Sequence, residues 1–188
     1  MTEHNDGAGS VAQADFAALV ADGTLAGHWV LDLAGSRAEF HAKSFWGAMP
    51  VRGSFGRLSG EADVSADGTV TAKLIMDATS LDTKNKQRDK HLGSADFFDV
   101  EQHRNMVLTV NSARPAGPTA LACQGSLEVA GHTQPVEFTA QVNEATANAV
   151  ALSAELEVDR ARFGMTWNRL GMVSAAALGT VTARFVRP

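Results

Sequence analysis

Arg88-Asp89-Lys90-His91-Leu92-Gly93-Ser94-Ala95-Asp96-Phe97-Phe98-Asp99 is the stretch that decides how this chain is expected to fold. The segments before and after it alternate in the manner of β-strands, so the β pattern is interrupted here. Arg88, His91 and Leu92 fall at i, i+3 and i+4, which places them on one face of a short helix. Gly93 is expected to end that helix in the left-handed conformation. The spacing therefore predicts a short helix around residues 84–93.

Two adjacent aromatic residues, Phe97 and Phe98, follow this helix in an otherwise polar setting. Exposing both rings to water would be unfavourable, so we expect them to reach an apolar core. A plug or lid that closes one end of a β-structure explains this combination of charge, glycine and aromatic residues.

Alternating residues on both sides of this stretch predict strands joined by turns. Strands are predicted at residues 38–43, 70–77, 106–110, 121–129, 136–142, 150–158 and 178–186. Gly131 and His132, with Ala130 and Thr133, predict a tight hairpin turn between two of these strands. Small residues recur on the faces expected to point inward, namely Ala38, Ala42, Ala72, Ala140 and Ala154. Because a filled barrel needs larger inward side chains, this pattern favours an internal cavity, although the alanine-rich composition of the whole chain could produce the same pattern.

The N-terminal region is expected to differ from the β region. Residues 1–9 are predicted to form a disordered tail, and residues 10–27 a helix with a linker. Ser10 and Gln13 match a capping box, and Gly23 would end the helix. We expect this helix to pack outside the barrel or across one end. A role on a membrane surface or with a partner remains an alternative, although its acidic polar face disfavours anionic lipid.

Composition limits the function classes. The 188 residues carry a net charge of −5, which argues against a primary role in binding nucleic acid. No apolar run approaches the ~20 residues of a spanning helix, so stable membrane insertion is not expected. The single cysteine, Cys123, excludes an intramolecular disulfide. Together with the absence of a secretory signal, these features favour a cytoplasmic protein.

Few residues carry a pattern typical of chemistry. The histidines lack metal-ligand spacing, and no nucleophile elbow or phosphate loop is present, so neither a metal nor another cofactor is expected. Arg88, Asp89 and His91 form the strongest polar cluster. They either fix the plug through backbone and mutual contacts or hold the head group of an amphiphile. The pair Asp159-Arg160 more simply anchors a loop at a strand end, and Cys123 is expected to be an inert core thiol.

Motifs in the same order along the chain resemble those of the YceI-like family of small lipid-binding proteins. They are the stretch from Arg88 to Asp99, Trp29-x-x-Asp32 with Ser36 and Phe40, Val51-Arg52-Gly53-Ser54-Phe55 with Gly60, Gly125-x-Leu127-x-Val129-x-Gly131-x-Thr133-x-Pro135-Val136, and Asp159-Arg160-x-x-Phe163-Gly164-Met165. The resemblance covers about residues 28–187. It implies an all-β fold, an elongated antiparallel lipocalin-like barrel over residues 28–188, and a possible homodimer.

The resemblance also implies a ligand, a long apolar chain of the polyisoprenoid or quinone-tail kind. The residues expected to contact it are Phe40, Phe45, Trp46, Met49, Phe55, Leu74, Met76, Arg88, His91, Leu92, Phe97, Phe98, Phe163, Met165 and Trp167. Methionine and aromatic residues in the loop segments suit an adaptable apolar lining, although packing onto the barrel rim explains them equally well.

Three functions follow from these observations. The leading one is non-catalytic binding, storage or transport of a lipid inside the barrel. The second is an enzyme that acts on a lipidic substrate through Arg88, Asp89 and His91. The third is a structural or interaction module with a filled barrel.

Overall fold

The computed structural model describes residues 16–44 and 48–188. The expected tail at residues 1–9, the capping box of Ser10 and Gln13, and the expected binding residues Phe45 and Trp46 lie outside the described residues. Helix α1 spans Phe16–Ala21, within the region where an N-terminal helix is expected.

Antiparallel strands dominate the described residues, with two α-helices and several short 3₁₀ turns. The strands are β1 (Gly27–Leu31), β2 (Arg37–Ser44), β3 (Met49–Phe55), β4 (Leu58–Val64), β5 (Val70–Asp77), β6 (Leu81–Asp82), β7 (Asn105–Pro115), β8 (Ala120–Val129), β9 (His132–Ala145), β10 (Ala149–Asp159) and β11 (Val173–Val186). The second helix, α2, spans Lys86–Leu92, close to the expected plug at residues 84–93.

The described strands form a closed antiparallel barrel of eight strands, which confirms the antiparallel lipocalin-like barrel that the family resemblance implies. Three of the eight barrel strands are kinked. Each consists of two short strands that follow one another along the chain: β1 and β2, β3 and β4, and β5 and β6. The strand β11 closes the barrel by pairing with β10 on one side and with both β1 and β2 on the other. On the far side β5 pairs with β7, whereas β6 pairs with β3 alone. The barrel wall therefore opens between β6 and β7, and α2 belongs to the segment that connects them.

Aspartate side chains shape the turns at which strands bend or end. The carboxylates of Asp32, Asp77 and Asp159 each accept a hydrogen bond from the backbone N–H two residues later and cap a 3₁₀ turn. A short acceptor of this kind offers the backbone an alternative to the sheet ladder. Two of the three, Asp32 and Asp159, lie in the sequence motifs described above, which gives those motif positions a structural reason.

The barrel interior contains two apolar clusters, one toward each end. The first contains Phe16 and Val20 of α1 together with Leu25 and Trp29, all of them buried. Trp29 also donates from Nε1 to the Leu25 carbonyl at 2.9 Å, which ties the linker to the first strand. Helix α1 therefore lies across one end of the barrel and not on its outer surface, which is one of the two placements expected from the sequence.

The second cluster lies toward the opposite end, beside α2. Phe97 and Phe98 both belong to it and are both buried, so the expectation that these rings reach a core is confirmed. The expected small inward residues divide between the two ends. Ala72 and Ala140 belong to the filled first cluster, so they do not provide room for a cavity there.

The predicted conformation of Gly93 is wrong, because this residue is right-handed, with φ −74°. The N–H of Gly93 bonds to the Asp89 carbonyl and that of Ser94 to the His91 carbonyl, so the helical turn continues past the expected end. The left-handed residues of this segment are Lys84, with φ 61°, before the helix and Asp99, with φ 45°, after it. The expected hairpin at Gly131 is present: Ala130 and Gly131 both have positive φ, as a tight two-residue hairpin turn requires.

Candidate functional site

A cavity of about 340 Å³ occupies the α2 half of the barrel. Its walls come from the second apolar cluster, from α2 and from the segment after β10. Phe138, Ala154 and Val181 line it and also pack against the first cluster. Ala154 and Val181 are cross-strand partners of β10 and β11, so they form part of its floor. The cavity is thus closed toward α1, and its mouth lies where β2, β3 and β11 begin or end at Ser44, Met49 and Val173.

Two groups of aromatic rings join the plug segment to the barrel. Phe98 lies 6.3 Å from Phe40 and 6.0 Å from Phe55 between ring centroids, in edge-on geometry. Phe97 lies 5.6 Å from Trp167 and 5.2 Å from His91. Edge-on aromatic pairs add to the stabilisation that burial provides. The adjacent residues Phe97 and Phe98 therefore connect the plug to two different sides of the cavity.

Glycine at position 53 makes room for one of these rings. Gly53 of β3 is the cross-strand partner of Phe40 in β2. A Cβ at Gly53 would collide with the Phe40 ring and also meet Thr83. A glycine in this motif position therefore allows the Phe40 ring to lie flat against the strand and face the cavity.

Thr83 anchors the plug. This residue is buried, and its hydroxyl and backbone N–H both donate to the Asp89 carboxylate. Arg88 donates from Nε to the Thr83 hydroxyl oxygen at 2.8 Å and from Nη2 to the Thr83 carbonyl at 2.7 Å. Arg88 and Asp89 thus fix α2 to the end of β6. Of the two roles considered for this cluster, fixing the plug and holding a ligand head group, these contacts match the first. Arg88 also lines the cavity.

Arg160 anchors the loop between β10 and β11. Its guanidinium is buried and donates to the backbone carbonyls of Ser174, Met165 and Trp167 at 2.8, 2.6 and 2.8 Å. Burial lowers the pKa of Arg160, and the nearby Asp159 carboxylate acts in the opposite direction. The expected anchoring role of Asp159-Arg160 is confirmed, and Arg160 lies against the cavity as well.

His91 does not join Arg88 and Asp89 in one catalytic group. Its Nε2 lies 3.1 Å from a carboxylate oxygen of Asp96, and its ring packs edge-on against Trp167 at 4.6 Å. The Asp89 carboxylate instead accepts from Thr83. The three residues of the enzyme hypothesis are therefore divided between two separate networks.

Most expected ligand-binding residues line this one cavity. They are Phe40, Met49, Phe55, Met76, Arg88, His91, Leu92, Phe97, Phe98, Met165 and Trp167. Leu74 and Phe163 are buried in the second cluster but lie behind the lining. Sequence reasoning missed Phe138, Leu156 and Val181, which alternate inward on strands β9, β10 and β11. Their strand periodicity was visible, but the height of each residue along the barrel depends on register.

The remaining candidates for chemistry are structural. Cys123 is buried, and burial raises the pKa of its thiol, as expected for an inert core cysteine. Within the described ranges, no group of three or more His, Cys, Asp or Glu residues could hold a metal ion. No helix in residues 16–44 and 48–188 combines the length and the hydropathy that crossing a bilayer requires.

Known proteins resemble this chain in sequence. A UPF0312 protein of Vibrio vulnificus (strain YJ016) is 30% identical over 129 residues, which cover 67% of this chain and 65% of that protein. A UPF0312 protein of Vibrio cholerae (strain El Tor Inaba N16961) is 28% identical over 138 residues, covering 72% of this chain and 70% of its own length. The chain therefore spans about two thirds of the length of these relatives.

Solved structures share the fold. Burkholderia cenocepacia BcnA has a TM-score of 0.74 at 19% identity, with 82% of this chain and 98% of that chain covered. A polyisoprenoid binding domain from Saccharophagus degradans, described as implicated in plant cell wall breakdown, has a TM-score of 0.70 at 16% identity and covers 85% and 98%. The model of the YceI-like domain matches residues 29–185, which is most of the barrel. With its kinked eight-strand barrel, plug and motifs, this chain belongs to the YceI-like domain family.

Proposed function

We propose that this protein binds one apolar molecule with a long hydrocarbon chain, a polyisoprenoid or an isoprenoid quinone, in its cavity and does not act on it chemically. The observation that carries the proposal is a cavity whose described walls consist mainly of aromatic, methionine, aliphatic and alanine side chains. The structural resemblance to a domain described as polyisoprenoid binding supports this ligand class.

The driving force is removal of hydrocarbon from water. Each methylene that enters the cavity contributes about 0.8 kcal/mol. Loss of freedom in the chain and ordering of the plug and loops oppose this gain, so the net affinity is much smaller than the sum. The volume of about 340 Å³ lies near the lower end of the ~300–1,000 Å³ typical of ligand pockets. A long chain would therefore place one end on the floor and leave its other end at the mouth.

The polar end of such a ligand would lie at the mouth. Arg88, His91, Lys43 and Ser174 line this part of the cavity, whereas Ala154 and Val181 form the apolar floor. This gradient suits an amphiphile that enters with its hydrocarbon first. Arg88 and Asp89 bond to Thr83, whereas His91 bonds to Asp96, so these residues do not form one catalytic group, which supports binding over catalysis.

Organic extraction of purified protein followed by mass spectrometry tests the proposal. We expect a long-chain apolar compound in a fixed ratio to protein. An independent assay adds an apolar fluorescent probe to delipidated protein and measures saturable uptake. Repeated extracts without such a compound, together with no saturable uptake, would refute the proposal.

A matched pair of variants on one strand tests the location of binding. Ala177 lines the cavity, whereas its neighbour Ala176 on β11 is exposed. Ala177→Phe should fill space inside the cavity and lower probe uptake at least tenfold with little loss of stability. Ala176→Phe adds the same ring outside and should leave uptake unchanged. Equal uptake by both variants would place binding elsewhere.

A further inference from the structure

We propose that the mouth of the cavity docks on the surface of a lipid bilayer that contains anionic lipid. The reason for such docking, exchange of a lipid ligand with the bilayer, rests on the proposed function. The docking itself is argued from charge and exposure at the mouth and can be tested separately.

Two chain segments flank the mouth, and both are basic. Residues 43–44, 48–52 and 160–173 together contain five basic residues and no acidic one, in a chain whose net charge is −5. One of the five, Arg160, is buried and engaged by backbone carbonyls. The other four, Lys43, Arg52, Arg162 and Arg169, are exposed. Clustered positive charge on an otherwise acidic molecule orients this end toward an anionic surface.

The two segments are neighbours in space as well as in character. Val173 at the start of β11 pairs with Ser44 at the end of β2, and Ser44 pairs with Met49 at the start of β3. The third side of the mouth, formed by α2 and the chain after it, has mixed charge, with Lys86 and Lys90 exposed beside Asp96. Near the mouth, the positive charge is therefore concentrated on the β2, β3 and β11 side, where the exposed Asp159 at the end of β10 is the neighbouring acidic residue.

Exposed apolar side chains accompany these charges. Leu170 is 78% exposed and Met49 is 53% exposed, both at this end of the barrel. Leu170 lies between Arg169 and Gly171 with φ 58°, a left-handed conformation that a leucine adopts at a cost. Leu170 is thus an exposed apolar side chain that follows a basic residue near the mouth and is held in an unfavourable backbone conformation. Such a side chain is suited to insertion among lipid head groups.

Flotation with vesicles tests the proposal. Vesicles of phosphatidylcholine containing phosphatidylglycerol should bind the 188-residue chain, pure phosphatidylcholine vesicles should bind it far less, and added salt should weaken binding. Arg162→Gln/Arg169→Gln should lower partitioning about 25-fold, or about fivefold for each charge removed near an anionic surface. The control pair Arg37→Gln/Lys73→Gln removes two exposed charges away from the mouth and should have little effect.

Leu170→Asn separates docking from folding. Asparagine tolerates positive φ better than leucine, so this variant should be at least as stable as the wild type. Its vesicle binding should fall about tenfold, since most of one leucine side chain is no longer buried in lipid. Leu33→Asn changes the other exposed leucine, which lies at the kink between β1 and β2, and should bind vesicles normally.

Probe uptake measured without vesicles distinguishes the two proposals. Normal uptake with no preference for anionic vesicles would overturn docking alone, as would equal losses in the mouth and control pairs. Absent uptake and no extractable apolar compound, with intact and mouth-dependent vesicle binding, would overturn the proposed function and support the docking surface.

Discussion

At the scale of single residues, the most informative side chain is Arg160. One guanidinium donates to the backbone carbonyls of Met165 and Trp167 in the loop after β10 and to that of Ser174 at the start of β11. Buried carbonyls need partners, and a planar group with five N–H donors can supply them from a single position. The conformation of the loop beside the mouth therefore depends on one side chain.

Arg160→Met should lower the free energy of unfolding by about 3 kcal/mol, because it removes the donors and leaves carbonyls unsatisfied in a buried position. Denaturant unfolding measures this. Arg162→Met is the control, since Arg162 is exposed and bonds to Gln134 at the surface, and it should change stability by less than about 0.5 kcal/mol. Similar losses in both variants would contradict the anchoring role.

Thr83 is the corresponding residue of the plug. Thr83→Val preserves its shape and removes the hydroxyl that Arg88 and Asp89 share. We expect a loss of about 1–2 kcal/mol in stability and faster release of a bound probe, because α2 is held less firmly over the cavity. Stopped-flow kinetics of probe release measures this effect. The substitution Thr71→Val, at an exposed position, is the control. Unchanged release would mean that α2 does not control access.

At the scale of elements, the kinks determine where the barrel opens. Asp77 ends β5 and binds two arginines, Arg57 after β3 and Arg104 before β7. Although burial acts to raise it, hydrogen bonds from Thr79, Arg57 and Arg104 hold the pKa of Asp77 well below its usual range. One carboxylate thus joins three strand ends at the point where β6 separates from β7.

The stability that Asp77 contributes should depend on pH. A carboxyl whose pKa is lowered on folding stabilises the protein fully above its unfolded pKa of about 3.9, and this stabilisation disappears as pH falls through the lower folded value. Asp77→Asn should therefore cost about 1 kcal/mol between pH 5 and 7, and the difference from wild type should shrink below about pH 4. Paired unfolding curves across this range check it; a difference that grows on acidification would contradict the assignment.

At the scale of the whole molecule, the barrel combines a filled half with a hollow half. Trp29, Leu25 and α1 fill one end with the protein's own side chains, while the other end contains the cavity beneath α2. Under the proposed function, binding would involve only the half that contains the cavity. The expected cytoplasmic location and homodimer stay predictions.

Ligand binding should stabilise the two halves unequally. A bound apolar ligand should raise the melting temperature with increasing concentration, because it binds the folded state alone. Hydrogen exchange should slow in α2 and in the parts of β2, β3 and β11 near the mouth. Amides of α1 and of the strand around Trp29 should change little. Uniform slowing throughout the chain would contradict the division into halves.

Local pattern was sufficient for much of this molecule. The alternation of Val70 to Asp77 predicted β5 with its observed bounds, because one face of that strand is buried and the other is not. The interrupted pattern at Arg88 to Asp99 predicted the plug, and the ordered motifs indicated the family. The conformation of Gly93 was not predictable, since it depends on hydrogen bonds with the chain that follows.

The chain's order of apolar, polar and turn residues therefore determined by itself a set of strands with apolar inward faces and a break at the plug, and the ordered motifs indicated the barrel through their resemblance to the YceI-like family. Tertiary structure alone decided that Ala154 and Val181 meet at a cavity floor while Ala72 and Ala140 lie in a filled core. It also decided that Asp89 contacts Thr83 instead of His91. The physical reason is that periodicity assigns a residue to a face, whereas its height in the barrel and its partners follow from the register of strands distant in sequence.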